Sequence, residues 1–235
     1  YRIYRLRGFD TVKRQSGALK VSREQIAAAE SKMVRKAAAK EEAKTAIALS
    51  AAKPPRLDGR SNDYDRNRTI HWKSGKFSVS ANLAYDSNNL YLHYKVFDDS
   101  PWKNNGKDWT MLFKTGDSID VKLATDPKAD PKRRKPVPGD IRLLIAPFEG
   151  KPVAVLYRHR LPKGQKGDVH TFSSPWRNEK VDDVKILSAA KIKVTQDDRG
   201  YNVEAAIPLK DLGLKHLDGK TLRADLGVIF GDPQG

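Results

Sequence analysis

Apolar and polar positions alternate with a period of two through most of the chain beyond residue 70. Val79, Ala81 and Leu83 alternate with Ser78, Ser80 and Asn82. Leu90, Leu92, Tyr94 and Val96 alternate with Tyr91, His93, Lys95 and Phe97. Ile119, Val121 and Leu123 alternate with Ser118, Asp120 and Lys122. Successive side chains of a β-strand point to opposite faces, so this is the pattern of half-buried strands. Turn signals separate the runs: DSNN at 86–89, Glu149-Gly150 between IRLLIAPF and KPVAVLYRHR, and DDRG at 197–200 between VKILSAAKIKVTQ and YNVEAAIPL. LRADLGVIFGD is the last strand-like run. A parallel sheet needs crossovers of about a dozen residues or more, and none stands between these runs. The pattern predicts an all-β chain: an antiparallel two-sheet β-sandwich, jelly-roll-like.

The first 55 residues read differently. Residues 1–21 open with the alternation Tyr1, Ile3, Arg5 against Arg2, Tyr4, Leu6, which suggests a hairpin or the end of an upstream domain. Ser22 and Gln25 then form a capping box. Ala, Glu, Lys, Arg and Gln, all strong helix formers, dominate as far as Leu49. Few large apolar residues lie among them, so residues 22–55 are expected to be a charged helical linker that ends before Pro54-Pro55. The sandwich is assigned to 56–235 and reads as C-terminally incomplete, an excerpt of a longer protein with upstream domains.

Charge adds a bias. The net charge is +16, and residues 1–56 hold 14 Lys and Arg against 5 Asp and Glu. Such a balance attracts polyanions. The cations are interleaved with acids rather than gathered in one block, which favours a solvated linker over a nucleic-acid site. Without cysteine, disulfides, thiol nucleophiles and thiolate metal sites are excluded. No apolar run approaches the roughly 20 residues of a membrane span.

Catalytic patterns are not found. His71, His93, His159, His170 and His216 form no HxH, HExxH or HxxxH pair. His93, in mid-strand, fits a surface or core histidine better than a base. Asp98-Asp99 and Asp182-Asp183 are adjacent pairs. Neighbours within a strand face opposite ways, so they suit turns better than an acid–base couple across a cleft. The reading is a non-enzyme.

Asp is depleted in strands, yet Asp117 and Asp120 flank the start of TGDSIDVKLATD, residues 115–126. A series of phrases bears on this. LDG at 57–59, LAYDSNNLYLHYKVFDD at 83–99, GDSIDVKLATD at 116–126, GYNVEAAIPLKDL at 200–212 and LGVIFGD at 226–232 resemble, in order and spacing, the family 9 carbohydrate-binding modules. The resemblance covers about 56–235. It implies a two-sheet sandwich without catalysis, glycan or polysaccharide binding, bound structural calcium, and an extracellular, periplasmic or cell-surface parent protein. It also implies that Asp120 and, in the following strand, Arg142 hydrogen-bond sugar hydroxyls. Alternation turns both side chains away from the core, because Ile119, Val121, Ile141 and Leu143 face inward. A carboxylate accepts and a guanidinium donates, so the two suit a diol. The competing reading is a cross-strand salt bridge on an exposed face, worth roughly 0–1 kcal/mol. Asp117 is expected to order the turn at Gly116.

The family stacks sugar between two tryptophans. Lys114 stands where one is expected, and the chain ends before the other. Phe113, Trp109, Trp102 and Trp176 are the aromatic candidates, although the turn-rich setting of the three tryptophans favours packing over an end of the sandwich. The loop 126–140 carries Lys132, Arg133, Arg134 and Lys135, which suit the sulfates or carboxylates of an acidic glycan, or a solvated loop. A structural or assembly module without sugar binding is the remaining alternative.

Overall fold

In the computed structural model, the described residues are 2–5, 49–50, 53–174 and 178–231. They contain fourteen strands: β1 (Arg2–Arg5), β2 (Leu49–Ser50), β3 (Ile70–Ser74), β4 (Phe77–Tyr85), β5 (Asn89–Phe97), β6 (Ser118–Ala124), β7 (Asp140–Phe148), β8 (Lys151–Arg158), β9 (His170–Ser173), β10 (Asn178–Val181), β11 (Asp183–Ile186), β12 (Lys191–Asp197), β13 (Gly200–Pro208) and β14 (Arg223–Phe230). One sheet has the order β1-β14-β6-β7-β8-β11. The other runs β12-β13-β5-β4-β2, with β3 also on β4, and β9 and β10 form a separate hairpin. All pairings are antiparallel except the two-residue contact of β2 with β4. The antiparallel two-sheet sandwich expected from the alternation is the architecture found. Apart from Leu49–Ser50 and residues 53–55, the segment read as a helical linker lies outside the described residues.

The core follows from the alternation. Ile119, Val121 and Leu123 on β6 and Ile141, Leu143 and Ile145 on β7 meet Leu90, Leu92, Tyr94 and Val96 on β5 and Val203, Ala205 and Ile207 on β13. Burying each large aliphatic side chain contributes about 1.5–3 kcal/mol. Both residues of the β7–β8 turn, Glu149 (φ 49°) and Gly150 (φ 76°), take positive φ, as the tightest hairpins require.

The first sheet is also covered on its other face. Leu144, Ala146, Val155, Tyr157 and Val184 form a second apolar cluster with Leu112. The cover is the 3-10 helix Trp109–Lys114 and Phe172 of β9. Asp108 starts that helix by accepting from the Thr110 amide (2.9 Å) and hydroxyl (2.7 Å), a side-chain cap for otherwise unbonded amides.

Candidate functional site

Asp117 and Asp120 have different tasks. Asp117 is fully buried. One of its oxygens accepts from the Lys103 amide at 2.9 Å and the other from the Gly231 amide at 2.7 Å. Asp117 therefore ties the loop before the 3-10 helix to the end of β14, an ordering role like the one expected of it. Asp120 points to the opposite face from Ile119 and Val121, as alternation requires. Its backbone carbonyl accepts from the Tyr94 hydroxyl at 3.0 Å, which anchors β6 to the facing sheet.

The Asp120 carboxylate meets Arg142. The two are diagonal neighbours, since Asp120 lies opposite Leu144 and Arg142 opposite Lys122. Arg142 Nε (2.6 Å) and Nη2 (2.5 Å) both reach Asp120 Oδ2. The guanidinium carbon lies 5.1 Å from the Phe113 ring centre and 5.9 Å from that of Tyr157, within cation–π range of each. Side-chain exposure is 16% for Arg142 and 9% for Asp120. The pair is thus a largely desolvated ion pair framed by rings rather than a surface bridge. Its face is covered because β7 and β8 carry apolar residues on both sides. Tyr157 is held in place by its hydroxyl, which donates to the Thr110 carbonyl at 3.0 Å, and burial pushes its phenol pKa up.

The other Asp120 oxygen, Oδ1, has no hydrogen-bond donor among the described residues and faces Gly227, its cross-strand partner on β14. A Cβ on Gly227 would come within 2.0 Å of Oδ1. Only glycine leaves this carboxylate room, so Gly227→Ala is expected to displace it and destabilise the fold by about 1–3 kcal/mol. Urea unfolding checks this, and an unchanged stability would show that β6 and β14 can part to admit the methyl group.

The rings continue away from Arg142. Phe113 lies 5.3 Å from Phe172, His170 stacks on Phe172 at 6.1 Å, and Trp109 meets His170 edge-on at 6.4 Å. All are half-buried. Of the aromatic residues singled out in the sequence, Phe113 and Trp109 belong to this row. Trp102 packs instead on the main core, 4.4 Å from Tyr201. Trp176 lies outside the described residues. Tyr157 and Phe172 are not among those candidates, and His170 joins the row as a ring rather than as a metal ligand. His170 and Phe172 are two residues apart in a short strand and so share a face, a signal present in HTFS. Lys114 donates to the Ser173 carbonyl at 3.2 Å and so holds the hairpin over the row.

In the basic loop, Arg133 pairs with Asp140 and donates to the Asp130 carbonyl at 2.7 Å. Lys132, Arg134 and Lys135 are exposed. Among the described residues, no group of three His, Cys, Asp or Glu side chains is placed to hold a metal, so the residues present do not assign the calcium expectation. The adjacent Asp pairs are engaged structurally. Asp98 accepts from the Ser100 amide (3.1 Å), Asp99 pairs with Lys76, Asp182 accepts from the Leu161 amide (3.1 Å), and Asp183 pairs with Arg158 (2.7 Å).

No protein-family model matches the chain, and no curated protein matches it. Among solved structures it is similar to a family 9 carbohydrate binding module from Caldicellulosiruptor kristjanssonii in complex with glucose, at 14% identity over 79% of each chain, with a TM-score of 0.42. It is also similar to such a module from that organism in complex with cellotriose, at 16% identity over 80% of this chain and 78% of that one, with a TM-score of 0.43.

Proposed function

We propose that the chain is a non-catalytic glycan-binding module of an exported protein and that its site is the aromatic row ending at Asp120–Arg142. The observation that carries this reading is the combination of parts in one place. Phe113, Phe172 and Trp109 are half-buried rings, against whose exposed parts the C–H face of a sugar would pack. Beside them stand Asp120 Oδ1, an acceptor without a described donor, and a guanidinium that has committed only Nε and Nη2. A donor and an acceptor side by side are what two neighbouring hydroxyls of a sugar require. Rings supply area, and the pair supplies orientation. Ring and charge phrases of the same order are what the family 9 resemblance implies.

Isothermal titration of the chain with neutral oligosaccharides tests it. Trp109→Ala and Phe113→Ala are each expected to weaken binding about five- to tenfold, the loss of one stacking contact of roughly 1–1.5 kcal/mol, while the far-ultraviolet spectrum keeps its β character. Binding unaffected by both variants would remove the site from this face, and no binding by the unaltered chain would leave the sandwich a scaffold.

A further inference from the structure

Resting on that reading, we infer that the ligand is an anionic polysaccharide, whose carboxylate or sulfate groups are held by the loop 126–140 as its backbone crosses Asp120–Arg142. The argument starts from the loop's construction. Its sequence, DPKADPKRRKPVPGD, contains three acids and five bases, and all three acids are committed inside the loop. Asp126 accepts from the Lys128 amide (2.9 Å) and Asp130 from the Lys132 amide (2.8 Å). Asp140 holds the Arg133 guanidinium and the Val137 amide (2.9 Å). Pro127, Pro131, Pro136 and Pro138 fix φ at four further positions. Lys128, Lys132, Arg134 and Lys135 are left exposed with no acidic side chain in ion-pair contact among the described residues. A flexible solvated loop needs neither the prolines nor three carboxylates spent on turns. A preorganised display of cations gains both, because less side-chain and loop freedom is lost on binding.

The loop is also in the right place. It joins β6 to β7, and Asp140, the residue that clamps Arg133, sits two positions before Arg142 on the same face of β7. Two residues of a strand span about 6.6 Å, so the base of the cationic loop lies that far along β7 from the Asp120–Arg142 pair. The connection that leaves β8 adds Lys163 and Lys166, both exposed, at the same end of the sheet, where the His159 amide donates to the Asp140 carbonyl at 3.1 Å. A neutral glycan would meet these cations without partners. An anionic one would present a charge to them at each repeat.

The test is affinity electrophoresis of the full chain in gels containing polygalacturonate, a sulfated galactan or a neutral β-glucan, at low and at raised salt, with duplex DNA as a competitor. The expected result is retardation at least tenfold stronger with one of the two anionic polymers than with the neutral one. It should be lost in the surface variant Lys132→Ala/Arg134→Ala/Lys135→Ala and weakened in Arg142→Lys, which keeps the charge beside Asp120 but not the planar fork. The arm that responds, carboxylate or sulfate, identifies the anion. Neutral binding that survives in the triple variant, with no preference for anionic polymers, overturns the inference and leaves the glycan reading standing. Loss of anionic binding in the triple variant alone, with Arg142→Lys unaffected or DNA competing equally, overturns it as well, because the loop then acts as a separate polyanion patch. Failure to bind any of the polymers defeats both readings.

Discussion

Arg142→Ala is expected to lower the unfolding free energy by about 3 kcal/mol, the lower end of what removing one partner of a buried ion pair costs. Two effects add. Asp120, 9% exposed and packed against Gly227 of β14, would be left without its counter-ion. The gap left between the Phe113 and Tyr157 rings would also remove packing that no neighbour is placed to replace. The lower end applies because the guanidinium keeps some contact with solvent. Urea unfolding of the variant against the unaltered chain measures the loss, and a difference under about 0.5 kcal/mol would show that the pair behaves as a surface bridge.

The same pair has a proposed binding role, and a double variant separates the two. In Asp120→Asn/Arg142→Met neither charge remains, and methionine fills part of the space between the rings. Replacing a buried pair by neutral groups of similar volume is often close to neutral in stability. The double variant should therefore regain most of the loss caused by Arg142→Ala, while glycan affinity stays low. Recovery of stability without recovery of binding is the signature of a pair kept for recognition. Recovery of both would assign binding to the rings alone.

Much of this site was legible in the chain. The period of two placed Asp120 and Arg142 on one face, and antiparallel pairing of consecutive strands made them neighbours. What alternation could not give was the cover. Asp120 looked exposed because its face carries Lys122 and Ser118. However, IRLLIAP and VAVLY are nearly continuous apolar runs, which a strand buried on both faces shows. Leu144, Ala146, Val155 and Tyr157 report that second burial as directly as Ile141 and Leu143 report the first. The element that supplies the cover was harder to see. WTMLFK is too short to show a helical period, and its position depends not only on the local Asp108 cap but on Asn104 and Asp117, polar residues that bond backbone groups distant in sequence. Trp102 and Trp109 are seven residues apart in the same turn-rich segment, yet one joins the main core and the other the aromatic row. Composition does not distinguish them, because the loop's path between them is set by tertiary hydrogen bonds.

The second large effect lies on the opposite sheet and concerns pH. His93 on β5 is almost fully buried, stands opposite Glu204 on β13 and Asn82 on β4, and lies 5.4 Å from the Tyr64 ring. Neither ring nitrogen has a hydrogen-bond partner among the described residues. Burial, helped by the positive charge of Lys95, brings its pKa from 6.5 down to about 4. The folded protein then binds this proton less tightly than the unfolded chain, so stability is full above pH 6.5 and falls as pH drops toward 4. Between pH 7 and pH 5 the loss from this group amounts to about 2 kcal/mol. Glu204 works in the other direction. Its carboxyl pKa is raised, chiefly by burial, so the folded state takes up that proton first and gains stability on acidification. Denaturant titrations at pH 7 and pH 5 should show His93→Phe losing about 2 kcal/mol less than the unaltered chain over that range, and Glu204→Gln losing more. Equal slopes for His93→Phe and the unaltered chain would mean that the imidazole is protonated as readily in the fold as outside it. Because His93 lies on the sheet that does not carry the aromatic row, glycan affinity of His93→Phe at pH 7 should match that of the unaltered chain, which makes the variant a control for every binding measurement made in acid.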